Sequence, residues 1–303
     1  MLKFFSSFIA VIIIFSFYSC QTETLEQKGS SEYIAEVNEW HQKRIERLKD
    51  ENGWLTLVGL YWLEEGENTF GSDKSSDIVF PENAPGKIGT IALTDSILTL
   101  SVSEGVNVLS EGKAVDRISL QHDLTGNPTI LETGSLRWYI IKREDKYGIR
   151  LRDTENKLRK EFDTVEKFPI NTDWRLNAKF EPYYPPKTIS LPSQLGNNVE
   201  EKSTGAAIFK IDDKEYKLDA IDAGGNRLWF IYADETNGKE TYGAGRYMYI
   251  DKPDSTGNMI IDFNYSYNPP CVFTKYATCS FAPKQNHLRL RITAGEKMWE
   301  EMH

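Results

Sequence analysis

The sequence predicts a mainly β protein with one helix near its N-terminus. Short runs of apolar and β-branched residues recur from Trp54 onward, separated by Gly, Asn, Asp and Pro, which is typical of antiparallel sandwiches and barrels. One stretch, Ser31–Glu51, instead places its apolar residues at the three- and four-residue spacing of a helix. The segment Leu288–Ala294 alternates apolar with polar residues, which predicts a strand with one buried face.

Residues 1–20 are predicted to be a lipoprotein signal peptide. Lys3 supplies a short positive start, and Phe8–Phe17 is an apolar run too short to span a bilayer as a helix. The Ser19-Cys20 that follows resembles a bacterial lipobox, in which Cys20 becomes the lipidated first residue of the mature chain. We therefore expect a cell-envelope protein that is attached to the membrane through Cys20, on the periplasmic or outer-membrane face, with residues 21–31 as a polar tether.

Residues 32–52 are predicted to form an amphipathic helix. We expect Asn52-Gly53 to end it through a left-handed cap. The predicted apolar face consists of Ile34, Val37, His41, Ile45 and Leu48.

Residues 53–172 are predicted to form a β-sandwich. Its expected strands are Leu55–Tyr61, Gly66–Gly71, Asp77–Phe80, Gly89–Thr94, Ile97–Val102, Val106–Leu109, Ile118–Leu120, Leu136–Lys142 and Tyr147–Arg152.

Residues 173–303 are predicted to form a second antiparallel β domain, either a sandwich or a barrel. The proline-rich Phe180–Pro186 is expected to be a stiff, extended connector from the first domain. An irregular loop that runs from Asn264 to Cys279 is expected to follow Met259–Phe263, because Asn264, Asn268, Pro269 and Pro270 cannot continue a central strand and proline lacks the N–H that such a strand requires. The expected strands are Thr188–Leu191, Gly205–Ile211, Lys214–Ile221, Arg227–Ala233, Tyr247–Asp251, Met259–Phe263 and Leu288–Ala294.

The charge balance argues against two classes of partner. The chain has 36 basic and 45 acidic residues and a formal net charge of -9. Nucleic-acid binding requires a basic footprint, and an acidic surface disfavours extended contact with anionic lipid. We therefore expect membrane attachment through a lipid on Cys20 and no nucleic-acid partner. The oligomeric state is not predicted.

Part of the first β region resembles a forkhead-associated (FHA) domain, an eleven-stranded sandwich that often reads phosphothreonine. The resemblance is carried by Phe70–Asp73, Asp77–Pro81, Gly89–Ile91 and Val108–Lys113. Ser72 stands where that family usually has its phosphate-binding arginine. Without that guanidinium the main charge-assisted bonds to a phosphate are missing, so we expect a degenerate, structural FHA-like sandwich.

A second resemblance covers most of the chain, from Trp40 to Lys297. The sequence resembles a bacterial family known as DUF1684, a domain of unknown function. This resemblance therefore does not indicate a particular activity. The motifs are Gly53–Trp62, Phe180–Tyr183, Tyr242–Arg246 (Tyr-Gly-Ala-Gly-Arg), Asp262–Cys271 (Asp-Phe-Asn-Tyr-Ser-Tyr-Asn-Pro-Pro-Cys), Tyr276–Cys279 and Ala294–Lys297.

The densest set of polar residues lies in these C-terminal motifs. Arg246 offers a fixed donor fork for a carboxylate or phosphate, and Asp262 would orient it or act as a base. We predict that the set converges in one cavity of the second domain; the alternative is that Arg246 and Asp262 form a buried pair that fixes the loop. The candidate ligand-binding residues are Arg246, Asp262, Asn264, Tyr267, Asn268 and Cys271.

Three roles are open for Cys271 and Cys279, the two cysteines that follow Cys20. An oxidising envelope favours a disulfide between them. Family members that resemble cytoplasmic proteins also carry both cysteines, which favours buried free thiols. A reactive thiol or metal ligand is the third alternative, although the spacing to His287 and Asp262 matches no known zinc module.

The sequence contains none of the standard catalytic motifs, neither Gly-x-Ser-x-Gly, His-Glu-x-x-His, a P-loop nor Gly-x-Gly-x-x-Gly. No cofactor, metal site or catalytic residue is predicted. The favoured hypothesis is a lipid-anchored envelope protein that binds a small ligand or peptide through its C-terminal β domain. The alternative is a hydrolase-like envelope enzyme that uses Arg246, Asp262 and Cys271.

Overall fold

The computed structural model describes residues 25–299, which form one long helix followed by three β-sheets. The prediction of a mainly β protein with an N-terminal helix and antiparallel sheets is confirmed. The predicted signal peptide, Cys20 and part of the tether lie outside the described residues. Within residues 25–299, no helix combines the length and apolar character that crossing a membrane requires.

The long helix, α1, spans Ser31–Lys49. Ser30 caps it by accepting a hydrogen bond from the Tyr33 N–H, and Val37, His41, Ile45 and Leu48 of the predicted apolar face are buried. The predicted left-handed cap at Asn52-Gly53 is wrong, because Gly53 has an ordinary φ of -71°. Glycine is required there for a different reason: a Cβ would lie 2.3 Å from the carbonyl oxygen of Leu48.

The first β region consists of two sheets that pack around one hydrophobic core, centred on Phe70, Ile91, Trp138 and Ile149. The first sheet has the order β1-β11-β10-β9-β6-β7 and the second β3-β2-β4-β5-β8. A short helix, α2 (Lys157–Glu161), follows them. The strands are β1 Leu57–Trp62, β2 Gly66–Gly71, β3 Ile78–Val79, β4 Gly89–Thr94, β5 Ile97–Val102, β6 Leu109–Ser110, β7 Lys113–Ala114, β8 Arg117–Ser119, β9 Leu131–Thr133, β10 Leu136–Arg143 and β11 Lys146–Asp153.

The second β region is one antiparallel sheet with the order β16-β15-β14-β13-β12-β17. Its edge strands β16 and β17 approach each other, so the sheet is a nearly closed barrel around Phe209, Phe230, Tyr232 and Phe263. The strands are β12 Arg175–Pro192, β13 Asn198–Ile211, β14 Lys214–Asp222, β15 Arg227–Tyr232, β16 Arg246–Asp251 and β17 Asn258–Asp262.

The predicted connector Phe180–Pro186 is instead the middle of the long strand β12. Strand β17 pairs with β12 only as far as Lys179, and the pairing of β12 with β13 is interrupted between Pro182 and Lys187. The prolines thus lie where β12 has an open edge and an irregular register, which are the positions that tolerate proline in a sheet.

The predicted strand Leu288–Ala294 is wrong in its secondary structure but right in its burial. Leu288, Ile292 and Ala294 pack into the barrel core, yet the segment belongs to no strand. Three of its backbone groups are bound by side chains: the Ile292 N–H donates to Asp234 Oδ2 at 2.7 Å, and Arg246 donates to the carbonyls of Ile292 and Ala294. Two others bond to the backbone of Ala233 and Glu235 without forming a strand ladder.

Candidate functional site

The predicted site residues divide among several clusters, and Arg246 belongs to a buried one. Its side chain is 0% exposed and its ion-pair partner is Asp234 at 3.3 Å, not Asp262 as the alternative assumed. Because its other bonds go to backbone carbonyls of the C-terminal segment, Arg246 fixes that segment against β16. Burial raises the pKa of Asp234, although the nearby Arg246 charge opposes the shift.

Asp262 and Asn264 join the start of α1 to the end of β17. Tyr33 donates its hydroxyl to Asp262 Oδ2 at 2.8 Å, and Arg175 lies 3.7 Å from the same oxygen. The Asn264 side chain accepts from the Asn171 N–H and donates to the Asn171 carbonyl. Burial raises the pKa of Asp262, while hydrogen bonds from Asn264 and Tyr33 oppose the shift.

Asn268 belongs to a third cluster. Its other two members, Arg44 and Glu296, are not among the predicted site residues. Arg44 donates to Glu296 Oε1 at 2.6 Å and to the Asn268 carbonyl at 2.9 Å, while the Asn268 N–H donates to Glu296 Oε2 at 2.7 Å. The Glu296 side chain is fully buried. The sequence offered one indication of Glu296, because this residue lies in the motif Ala294–Lys297. No sequence pattern indicated that Arg44 would be its partner.

Cys271 and Cys279 are adjacent free thiols in the structure. The Cys271 N–H donates to Cys279 Sγ at 3.1 Å. Hydrogen bonds from Cys279 and Tyr242 lower the pKa of Cys271, whereas the interaction with Cys271 and burial raise the pKa of Cys279. Oxidation of the pair to a disulfide stays a prediction. Across residues 25–299, no three or more His, Cys, Asp or Glu side chains are grouped so that they could hold a metal ion.

A groove of about 1530 Å³ runs between α1 and the β16–β17 edge of the barrel. Of the predicted site residues, Asp262 and Tyr267 line it. Between residues 25 and 299, no hydrogen bond or ion pair joins any two of Arg246, Asp262 and Cys271.

An aromatic row, defined here as Trp229, Tyr249, Tyr267 and Trp40, runs along one wall of the groove. Tyr249, Tyr267 and Trp40 line the groove, and Trp229 lies next to Tyr249. Tyr249 is 40% exposed, and its ring lies nearly parallel to the rings of Trp229 and Tyr267, at interplanar angles of 19° and 21° and with ring centroids 6.2 Å apart on each side. Trp40 of α1 continues the row 6.4 Å from Tyr267, and the Arg44 guanidinium lies 4.4 Å from the Tyr267 centroid. This arrangement holds the Tyr267 ring in place, while Tyr249 stays partly exposed in the groove lining.

The charged side chains of the groove carry both signs. Lys43 pairs with Glu39 on α1, and Arg227 pairs with Asp251 at 3.4 Å. The groove therefore has no strong excess of one charge, and its donors and acceptors surround the aromatic row. The charged lining residues are Glu32, Glu36, Glu39, Lys43, Arg44, Arg47, Arg175, Arg227, Asp251, Lys252 and Asp262.

Comparison with known families places the C-terminal half of the chain. Residues 160–297 match the family described as "Protein of unknown function (DUF1684)". Over these residues the chain is similar to the DUF1684 family. The DUF1684 region thus contains the whole barrel and the cysteine pair, while α1, with Trp40 and Arg44, precedes it in the sequence.

One solved structure is similar to part of the chain. The solution NMR structure of an uncharacterized protein from Haloarcula marismortui is 27% identical, and the match covers 46% of this chain and 80% of that chain with a TM-score of 0.39. No curated protein matches the chain.

Proposed function

We propose that this protein is a lipid-anchored binding protein of the bacterial cell envelope, whose groove between α1 and the barrel takes a small carbohydrate. The supporting observation is the aromatic row with its half-exposed Tyr249. An aromatic face attracts the C–H face of a sugar ring, and the surrounding polar side chains provide hydrogen bonds for its hydroxyls. The mixed charge of the lining favours a neutral ligand over a highly charged one.

The aromatic row is preorganised for binding. Tyr267 is fixed between Arg44 and Tyr249, and Tyr249 is supported from behind by Trp229. A rigid aromatic surface loses little conformational freedom on binding, so more of its contact energy contributes to affinity.

The test is isothermal titration calorimetry of the wild type against a panel of neutral oligosaccharides, repeated with Tyr249→Ala. Removing an aromatic contact worth roughly 1.5–3 kcal/mol should weaken binding by about 10- to 100-fold. Tyr184→Ala is the control, because Tyr184 is 88% exposed on β12 and does not line the groove. The proposal fails if no saccharide binds, or if Tyr249→Ala binds as tightly as the wild type. If the groove binds short peptides and no saccharide, the ligand class is peptide and the carbohydrate proposal is wrong.

A further inference from the structure

The outer face of the first sandwich carries two neighbouring arginines that are buried without a carboxylate partner. Arg150 and Arg152 alternate along β11 with Ile149 and Leu151, which belong to the core, so both arginines point away from it. They are 5% and 8% exposed. Neither forms an ion pair with any acidic residue in the range 25–299.

Neutral groups take up some of their donors. Arg152 donates to the Gly53 carbonyl at 2.6 Å and to Thr56 Oγ1 at 3.1 Å. Arg150 Nη2 donates a hydrogen bond to Thr278 Oγ1 at 3.3 Å. The buried Nε of Arg150 has no hydrogen-bond partner among the described residues. A buried charge without a counter-charge destabilises the fold, so an anion bound beside this guanidinium would be stabilising.

The groups around Arg150 increase the positive potential. Arg143, at the end of β10, donates its Nε to the same Thr278 hydroxyl at 3.3 Å, so two guanidinium groups flank one oxygen atom. Arg143 forms its ion pair with Asp123 through Nη1, so this pair does not use the Nε that contacts Thr278. Tyr139 lies directly opposite Arg150 in the sheet. Burial alone would raise the pKa of Tyr139, but the charges of Arg150 and Arg152 reverse the effect and lower it.

The residues around Arg150 are more exposed than Arg150 itself. Arg143, Tyr139 and Thr278 are partly exposed, while Trp54 covers the arginines from another direction, 5.6 Å from the Arg150 guanidinium. An anion that entered beside Arg143 would meet the Arg150 guanidinium and the Thr278 hydroxyl together.

We propose that Arg143, Arg150, Tyr139 and Thr278 form an anion-binding site for a phosphate or carboxylate group. The planar guanidinium groups match the oxygen geometry of both groups. The site goes beyond the proposed carbohydrate groove, with which it shares only the side chain of Trp54.

The experiment measures the melting temperature of the wild type in a phosphate titration and in an acetate titration, each against sodium chloride of equal ionic strength. A specific site should raise Tm by about 3 °C at ten times its Kd. Saturation with phosphate but not acetate identifies a phosphate site, and the reverse identifies a carboxylate site. Equal responses to both salts and to chloride would overturn the proposal.

Arg150→Met distinguishes a binding site from a purely structural arginine. Methionine keeps much of the side-chain volume and removes the unpaired charge, so this variant should melt at or above the wild-type temperature without added anion and lose the anion-dependent shift. Arg137→Met is the matched control on β10, because Arg137 already pairs with Glu51 and Glu132; it should keep the shift. An Arg150→Met protein that melts well below the wild type and retains the anion response would also contradict the proposal. Tyr249→Ala leaves this response unchanged, so failure of the groove and failure of the anion site are separable.

Discussion

Arg246 and Asp234 form an ion pair in which both side chains are completely buried. Replacing Arg246 with Met should reduce the free energy of unfolding by roughly 3–5 kcal/mol, because Asp234 would stay buried without its counter-charge. Arg227→Met is the control: its pair with Asp251 is exposed, and such pairs contribute at most about 1 kcal/mol. Urea unfolding of both variants measures the difference, and equal effects would show that Arg246 is not a structural support.

The same variant should respond to pH through Asp234. Burial raises the pKa of this carboxyl, so its ionisation destabilises the fold as pH rises through the folded-state value. Without Arg246 to oppose the shift, the pKa of Asp234 should rise further. The destabilisation of Arg246→Met should therefore shrink between about pH 7 and about pH 5, as measured by urea unfolding across that range. A constant difference would contradict this linkage.

The two thiols should differ in reactivity, because the pKa of Cys271 is lowered and that of Cys279 is raised. In a Cys20→Ala background, iodoacetamide should modify Cys271 first, with a pH midpoint below the ordinary thiol value. Cys279→Ala removes the largest cause of the lowered pKa and should move that midpoint upward. Mass spectrometry of digested samples identifies the modified residue. Faster labelling of Cys279 would reverse the assignment.

At the scale of elements, α1 depends on a charged contact as well as on its apolar face. Arg44 holds Glu296, whose side chain is 0% exposed, at 2.6 Å. Arg44→Met should lower the free energy of unfolding by about 3 kcal/mol. Lys43→Met, at the neighbouring position, should lower it by less than about 0.5 kcal/mol, since Lys43 forms an exposed helical pair with Glu39.

Chemical unfolding of the two variants tests the docking of α1, and Glu296→Gln in the Arg44→Met background should restore part of the loss by removing the unpaired charge. Equal stability of the two single variants would show that the helix is held by its apolar residues alone.

The elements that the sequence predicted well are those whose pattern is local. The face of α1 follows from helical spacing, and strands such as Gly66–Gly71 and Gly89–Thr94 match the observed bounds because turn residues flank them. Leu288–Ala294 was predicted wrongly because its alternation reflects burial and not pairing with a neighbouring strand. Its hydrogen-bond partners include the side chains of Asp234 and Arg246, which lie far away in the sequence.

The candidate site was predictable only in part for the same reason. Asp262 and Tyr267 were selected from their motif and do line the groove. The opposite wall comes from Trp40 and Arg44 of α1, which lie more than two hundred residues earlier in the chain. No local pattern indicates that contact, so the groove becomes visible only when the helix is docked on the barrel.

At the scale of the whole molecule, the segment Pro270–Cys279 of the C-terminal region forms hydrogen bonds with the first sandwich. Thr274 donates to the Leu57 carbonyl at 3.2 Å, and Thr278 accepts from Arg143 and Arg150. The groove, the thiol pair and the proposed anion site therefore surround one segment, Pro270–Cys279, that contacts both β regions.

Attachment of the molecule to the membrane through Cys20 is the remaining prediction at this scale. A fully extended chain rises at most 3.6 Å per residue, so a lipid on Cys20 would keep the start of α1 at Ser31 within about 40 Å of the bilayer. Metabolic labelling with a palmitate analogue should mark the wild type and Cys271→Ala, but not Cys20→Ala. The unlabelled protein should move from the membrane fraction to the soluble fraction and retain wild-type binding in the groove, because the groove residues do not depend on the anchor. Equal labelling of wild type and Cys20→Ala would refute lipidation, while loss of groove binding in a soluble, folded Cys20→Ala protein would show that the membrane contributes to the ligand site.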